Sequence, residues 1–452
     1  MKFNAAALSA IDVGCLRRVG GWLLTGVFLL RVGWMLPLAL VTSNTAVLAD
    51  EALPDYEMAR IPVGERVHPG YEPIGYRVGG VFFYPRLLSG IRFDSNVYAS
   101  PTNPRSDLAF ILSPQLTIKY GRGTPGAQLN PSRFSYQIDL GADIYQFRKF
   151  TSENRVDARG RIATNWDIAP DLQLDTVFEA ARRHEERGDS SQPRNAREPV
   201  PFNDLRGETT LTKTWGRLGV ALNAGVRDLT YENVTTFGGE PLDQTQRDGT
   251  IVSTYIKPFY EFSPGYRAFV RLRGNWREYA ATGEQNRNSD GYEARGGLEF
   301  AVTPLISGSV EAGYMSQSYE NPLLQPVDGL SVKGELLWQA TALMTVRAYA
   351  ERNVAETITP GFGPRIDALV GGQVDYELLR NVIVKAGGSF KQEDFQDSPR
   401  KDDVTRWTAG IDYALTRHLR IGARYDYIQR DSTIPIYSFD KHMVMFNVTA
   451  QH

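Results

Sequence analysis

Cysteine is almost missing from this 452-residue chain: Cys15 is its single instance, and it lies within the first 49 residues. A chain cut after residue 49 holds no thiol, which removes disulfide frameworks, thiol nucleophiles and cysteine-ligated zinc. Histidine is scarce as well, with five residues, His68, His184, His418, His442 and His452. Charge of one sign is lacking too. Lys and Arg number 50 against 52 Asp and Glu, and loss of residues 1–49 shifts the net charge from −2 to −5. That balance gives no support to a nucleic-acid partner. Beyond residue 49 no apolar run reaches the roughly 18 residues of a spanning helix. No metal or cofactor motif stands out, and none is expected.

What is present begins with an export-like leader. Arg17 and Arg18 precede the apolar run Val19 to Leu30, Arg31 introduces a second run to Val41, and the stretch closes on Val47-Leu48-Ala49. We read residues 1–49 as a signal peptide with cleavage before Asp50; an uncleaved anchor is the alternative. Residues 50–80 carry Pro54, Pro62, Pro69 and Pro73 with little alternation. They read as a periplasmic N-terminal tail or a partial plug, ahead of a barrel over 81–452.

The remainder is organised by eight aromatic residues, Tyr120, Trp166, Trp215, Phe262, Phe300, Trp338, Tyr376 and Tyr413, spaced 46, 49, 47, 38, 38, 38 and 37 residues apart. Short punctuation follows most of them, such as Ala-Pro-Asp at 169–171, Gly-Arg at 216–217 or Ser-Pro-Gly at 263–265. Each interval holds two long alternating segments. In 266–277, Tyr266, Ala268, Val270, Leu272 and Trp276 oppose Arg267, Arg271, Arg273 and Arg277; in 419–430, Leu419, Ile421, Ala423, Tyr425 and Tyr427 oppose Arg420, Arg424, Asp426 and Arg430. The segments run about 10 to 15 residues, longer than the five or six usual in soluble sheets and long enough for a tilted strand to cross a bilayer.

The pattern predicts an all-β fold, a transmembrane antiparallel up-and-down β-barrel of about 18 strands. The eight aromatics would form a girdle at the rim with short turns. An even strand count puts both chain ends at that rim, which would be periplasmic. The longer connections, among them 96–106, 188–204, 234–249 and 281–289, would face outside. Pro114 and Pro258 fall inside strands and call for a bulge or a local fray. A barrel of this width encloses water or a plug. Its candidate lining includes Arg267, Arg271, Arg273, Arg277, Arg406, Asp412, Arg420 and Arg424. Four like charges on one strand repel one another unless acidic neighbours or an anionic solute answer them.

Residues 66–114 also carry a resemblance. The runs Pro69-Gly70-Tyr71-Glu72-Pro73-Ile74-Gly75, Gly80-Val81-Phe82-Phe83-Tyr84-Pro85 and Phe93-Asp94-Ser95-Asn96-Val97-Tyr98-Ala99, followed by Ser106-Asp107 and Ser113-Pro114, resemble the β-barrel porin type 2 family of Gram-negative outer-membrane proteins. That resemblance implies an outer-membrane channel, with a link to exopolysaccharide production and export, and supplies no catalytic residue.

The leading expectation is therefore a porin-like channel for hydrophilic solutes, a role in exopolysaccharide export being its variant. Outer-membrane lipid and the barrel-assembly machinery are its expected partners, with exopolysaccharide or small solutes as cargo; no oligomeric state is marked. Two alternatives stand beside it. An outer-membrane enzyme acting on glycan or lipid would pair a Ser with a His near the lipid-facing rim, and His184 alone lies near an outer rim, with no Ser on its strand face. A periplasmic β-propeller also repeats every 40 or so residues, but needs four short strands per repeat where this chain offers two long ones.

Overall fold

The computed structural model describes residues 62–66, 68, 70–122, 124, 132–303, 305–355, 364–396 and 398–452. The leader, its cleavage point and residues 50–61, 67 and 69 of the proline-rich stretch after it lie outside the described residues. Eighteen long strands follow one another: β1 Val81–Asp94, β2 Asp107–Tyr120, β3 Phe134–Phe147, β4 Arg155–Ala169, β5 Leu172–His184, β6 Pro201–Trp215, β7 Leu218–Tyr231, β8 Gly249–Ser263 and β9 Tyr266–Tyr279. The second half comprises β10 Ser289–Thr303, β11 Ile306–Tyr319, β12 Val327–Thr341, β13 Met344–Ala355, β14 Arg365–Leu379, β15 Val382–Phe395, β16 Lys401–Ala414, β17 Leu419–Ser432 and β18 Phe439–Gln451.

Each strand pairs antiparallel with its neighbours in sequence, and β1 pairs with β18 from Arg86↔Gln451 to Asp94↔Met443. The sheet therefore closes into an 18-strand antiparallel barrel. The β-propeller alternative falls with that closure. A closed sheet is what lipid requires, because no water is present there to satisfy an edge. The strands hold 12 to 15 residues, more than a bilayer crossing needs, so they extend past an apolar belt at both ends.

Alternation decides which side chain faces where. Trp215, Trp407 and Phe446 are 57–63 % exposed, whereas Asp204, Asp375, Arg400 and Asp402 are at most 2 % exposed. An apolar exterior around a polar interior is the reverse of a soluble protein and fits a barrel in lipid.

The rim with short turns has a repeated build. In the β4–β5, β8–β9, β10–β11, β12–β13 and β14–β15 hairpins the register shifts just before the turn, beside Trp166, Phe262, Phe300, Trp338 and Tyr376 respectively. Such bulges add twist where the chain must reverse. Gly265 in one of these turns has φ +78°, and a Cβ there would meet the Ala301 carbonyl oxygen at 2.8 Å. Only glycine fits that position without strain.

Of the two expected outcomes at the intrastrand prolines, the structure shows a local fray and no bulge. Pro114 stays in register with Leu87 of β1, while the β2–β3 ladder skips from Leu112↔Ile144 to Gln115↔Gly141. Pro258 keeps Val220 of β7, and the β8–β9 ladder skips from Ile256↔Leu272 to Phe259↔Phe269. The residue sum across each gap is unchanged. The missing N–H interrupts one ladder locally and shifts no register.

Candidate functional site in the lumen

The inner wall is built by register. Arg267, Arg271, Arg273 and Arg277 occupy alternate positions of β9, on the same face as Glu261 of β8 and Glu293 of β10. Arg406 and Asp412 of β16 share a face with Arg420 and Arg424 of β17. Those faces oppose the exposed aliphatic and aromatic positions and point into the bore. All eight candidate lining residues thus stand on the lumen side. The aromatic set stands on the other side: Trp166, Trp215, Phe262, Trp338, Tyr376 and Tyr413 are 40–57 % exposed. Tyr120 and Phe300 hold the matching outward positions of β2 and β10 at the same rim.

Most of the candidate lining is neutralised within the wall. Arg267 pairs with Glu261 at 3.3 Å, Arg271 with Glu311 at 2.9 Å, Lys385 with Asp412 at 2.8 Å, and Arg424 with Asp426 at 2.7 Å. Arg277 donates from Nε to Asn275 at 3.0 Å. Arg273 and Arg406 make no hydrogen bond or ion pair among the described residues. Elsewhere, acids serve several cations at once. Asp204 takes Arg206 at 2.5 Å, Arg227 at 2.9 Å and Arg183 at 3.3 Å.

At the rim with long loops, the 185–200 connection between β5 and β6 turns into the bore instead of outward to solvent. Ser190 hydrogen-bonds with Arg365 of β14 and lies 3.4 Å from Glu393 of β15. Those strands stand half-way round the ring from β5. Arg194 then donates to the carbonyls of Ala99 (2.6 Å) and Tyr437 (3.1 Å). The segment returns through the Ala196↔Thr236 bridge. Arg187 holds its two limbs together, donating to the Ala196 and Arg197 carbonyls and pairing with Glu153 at 2.5 Å. A small apolar cluster of Ala196, Val200, Leu229, Tyr231 and Val234 anchors its end.

Beneath this crossing segment lies a buried ion cluster. Asp402 receives Arg400 at 2.6 Å and Arg430 at 3.2 Å, Glu393 sits 3.4 Å from Arg430, and the Arg400 guanidinium lies 3.6 Å from the Tyr437 ring centroid. Burial and the charges of Arg430 and Arg400 bring Arg194 down to about 10, still protonated at neutral pH.

At the opposite rim, residues 62–66, 68 and 70–72 lie along the inside of the wall. The Val63 N–H donates to Thr345 Oγ1 (2.9 Å), Glu65 pairs with Arg347 (3.0 Å), and Arg66 pairs with Glu377 (3.2 Å) while donating to the Ala342 carbonyl. His68 lies 3.4 Å from Glu377 and 3.7 Å from Glu72, which faces Arg420 at 3.5 Å. These contacts follow an arc from β13 and β14 to β17, and Tyr76–Val78 then forms a hairpin with the start of β1. The terminal His452 stacks between Tyr76 (4.1 Å) and His418 (5.2 Å). Hydrogen bonding to Glu72, opposed by burial and aided by Glu377, raises the His68 imidazole above its usual 6.5. Glu72 is buried against its charged form, yet His68 and Arg420 together lower it below 4.5.

Sequence reasoning missed the crossing segment; at the opposite rim it offered a tail or a partial plug without the residues that hold it to the wall. The first was read as a solvated loop because Asn, Gln, Gly, Pro and Ser dominate it. Its one signal was three arginines, Arg187, Arg194 and Arg197, in a segment too short to need them for solubility. Chemistry of the hydrolase kind finds no assembly at His184. Its Nδ1 faces Asp157 at 2.8 Å, and no serine hydrogen-bonds to the ring among the described residues.

No curated protein matches the chain. Among solved structures it is similar to OccK2 of Pseudomonas aeruginosa in complex with glucuronate, at 9 % identity and TM-score 0.43, covering 83 % of this chain and 99 % of that one. It is similar to the outer-membrane protein OpdK of the same organism at 12 % identity and TM-score 0.42, covering 82 % and 98 %. The siderophore receptor PirA of Acinetobacter baumannii gives 6 % identity and TM-score 0.42, covering 81 % and 80 %. Likenesses this distant carry no functional argument. Residues 68–452 match the family described as Putative beta-barrel porin 2, and the chain belongs to that family of outer-membrane barrels.

Proposed function

We propose that this porin-like barrel passes hydrophilic solutes through its bore and serves the export of a surface polysaccharide. The observation that carries the reading is the inner wall itself. Every strand from β1 to β18 turns polar or charged positions inward, and an apolar belt covers the outside. Such a wall solvates a polar cargo along its whole length. The short-turn rim is periplasmic in this reading, with Trp166, Trp215 and Trp338 anchoring the lower interface. Residues 62–72 act as a partial plug on that side. Outer-membrane lipid surrounds the belt, and the barrel-assembly machinery inserts it.

Support for glycan cargo comes from the aromatic rings on the lumen side. Tyr349 is 40 % exposed on an inward position of β13, whereas the Tyr145 ring carries the Arg92 (5.0 Å) and Arg155 (4.3 Å) guanidinium groups over it. An exposed ring such as Tyr349 gives sugar faces a surface to slide over. Planar bilayers test the channel: purified protein should give discrete conductance steps, and silence where a reference porin conducts would sink the reading. A deletion strain tests the cargo. Retention of polysaccharide inside the cell, with small-solute uptake unchanged, is the expected outcome; normal secretion would remove the export role.

A further inference from the structure

One stretch of the lumen wall has a charge balance unlike the rest. A cleft of about 490 Å³ opens along the inner faces of β6–β13, where seven basic side chains meet only three carboxylates. Of the three, Glu208 and Glu351 accept from the Asn223 and Asn353 amides, and the carboxylates nearest Arg273 are committed to other arginines. Glu311 lies between Arg271 (2.9 Å) and Arg295 (3.5 Å). Glu293, the cross-strand partner of Arg273, is turned to Arg295 and to the Ser331 hydroxyl. Asp204, just above, serves three arginines.

Arg273 is therefore left exposed in the cleft with no hydrogen bond or ion pair among the described residues. Its other cross-strand neighbour is Tyr255, whose ring lies 5.3 Å from the Arg271 guanidinium. Asn223, Asn275, Gln317 and Asn353 add amide groups to the same lining. A guanidinium whose neighbouring carboxylate is engaged by another arginine is set to take one from a solute, as a bidentate pair. The amides match hydroxyl groups, and Tyr255 offers an apolar ring face.

We propose that this cleft is a binding site for carboxylated sugars, uronic-acid units in particular, with Arg273 as the carboxylate-binding residue. The proposal rests on the channel reading for its purpose, but the site itself does not need conduction. Two measurements on the full-length protein separate them. Calorimetry in detergent micelles with galacturonate, set against galactose as its neutral twin, reads the site directly. Reversal potentials across a KCl gradient in planar bilayers read the pathway.

Galacturonate should bind and galactose should not. Arg273→Gln should weaken galacturonate by about tenfold, the loss expected for one charge-assisted pair, while Arg273→Lys keeps part of the affinity. Heat-modifiable migration checks that each variant forms the barrel. The open channel should prefer chloride, less so in Arg273→Gln. Equal binding of both sugars, or galacturonate binding untouched by Arg273→Gln, would overturn the site. Binding without conductance would leave the site standing and remove the channel; conductance with no galacturonate binding would do the reverse.

Discussion

The two ends of the bore are both narrowed from within, but by different means. At the long-loop end, the 185–200 segment reaches the far wall, and its charges meet a buried cluster in which Arg400, Arg430, Asp402 and Glu393 neutralise one another. At the short-turn end, residues 62–66, 68 and 70–72 keep to one arc and are held partly by a histidine, His68, between Glu377 and Glu72. Arginine stays charged at any physiological pH, whereas histidine does not. The first device spans the opening and holds one group that titrates near neutrality, Asp189, which burial and the charges of Glu186 and Glu185 push up to about 6; the second turns on His68 and covers only the edge of its opening.

The sharpest way to break that contrast is to excise each device. Replacing residues 188–197 by a short Gly-Ser linker should raise single-channel conductance several-fold, because the crossing chain is removed from the path. Removing residues 62–72 should raise it far less. Equal effects in bilayer recordings would show that the two obstructions are alike.

A smaller effect follows from the ion cluster. Asp402→Asn leaves Arg400 and Arg430, 0 % and 5 % exposed, without their shared carboxylate. Uncovering buried charge in this way costs about 3–5 kcal/mol. The temperature at which the heat-modifiable band is lost should fall, and Ser190 should become accessible to a thiol probe after substitution by Cys. An unchanged transition would mean that the cluster is open to water.

The smallest effect is the pH response of the other end. His68 has a raised pKa, so its contribution to docking is complete below 6.5 and is lost as pH rises through the higher folded value. Glu72 has a lowered pKa, so its contribution is present above 4.5 and fades as pH falls. The groups facing them are Glu377 from β14, Arg420 from β17 and Arg66 beside them. Limited proteolysis of residues 62–72 should be slowest between the two values and faster at alkaline pH. His68→Gln should flatten the alkaline limb. Proteolysis that ignores pH in the native protein would sink the assignment.

Strand positions were largely legible beforehand. The two-residue alternation over 266–277 and 419–430 starts where β9 and β17 start and stops two residues short of their ends, because burial in lipid allows only one register. The aromatics could be assigned to the outer face of one rim for the same reason. Pro114 and Pro258 were legible as a bulge or a local fray, but not which of the two, since a missing donor is absorbed by whichever neighbouring strand can spare an acceptor. Arg273 was legible as one of four like charges. That it has no hydrogen bond or ion pair among the described residues was not, because Glu293 beside it is engaged by Arg295 and by Ser331, a residue two strands further on.

The order of residues along the chain was enough to determine a closed sheet of long strands, its inside and its outside. Alternation is local, and lipid and water read it residue by residue. Only the folded ring decided that β5 looks across at β14, that a polar loop lies in the bore instead of outside it, and which carboxylate answers which guanidinium. Those choices are contacts between segments far apart in sequence, and their free energy appears only once the barrel has closed.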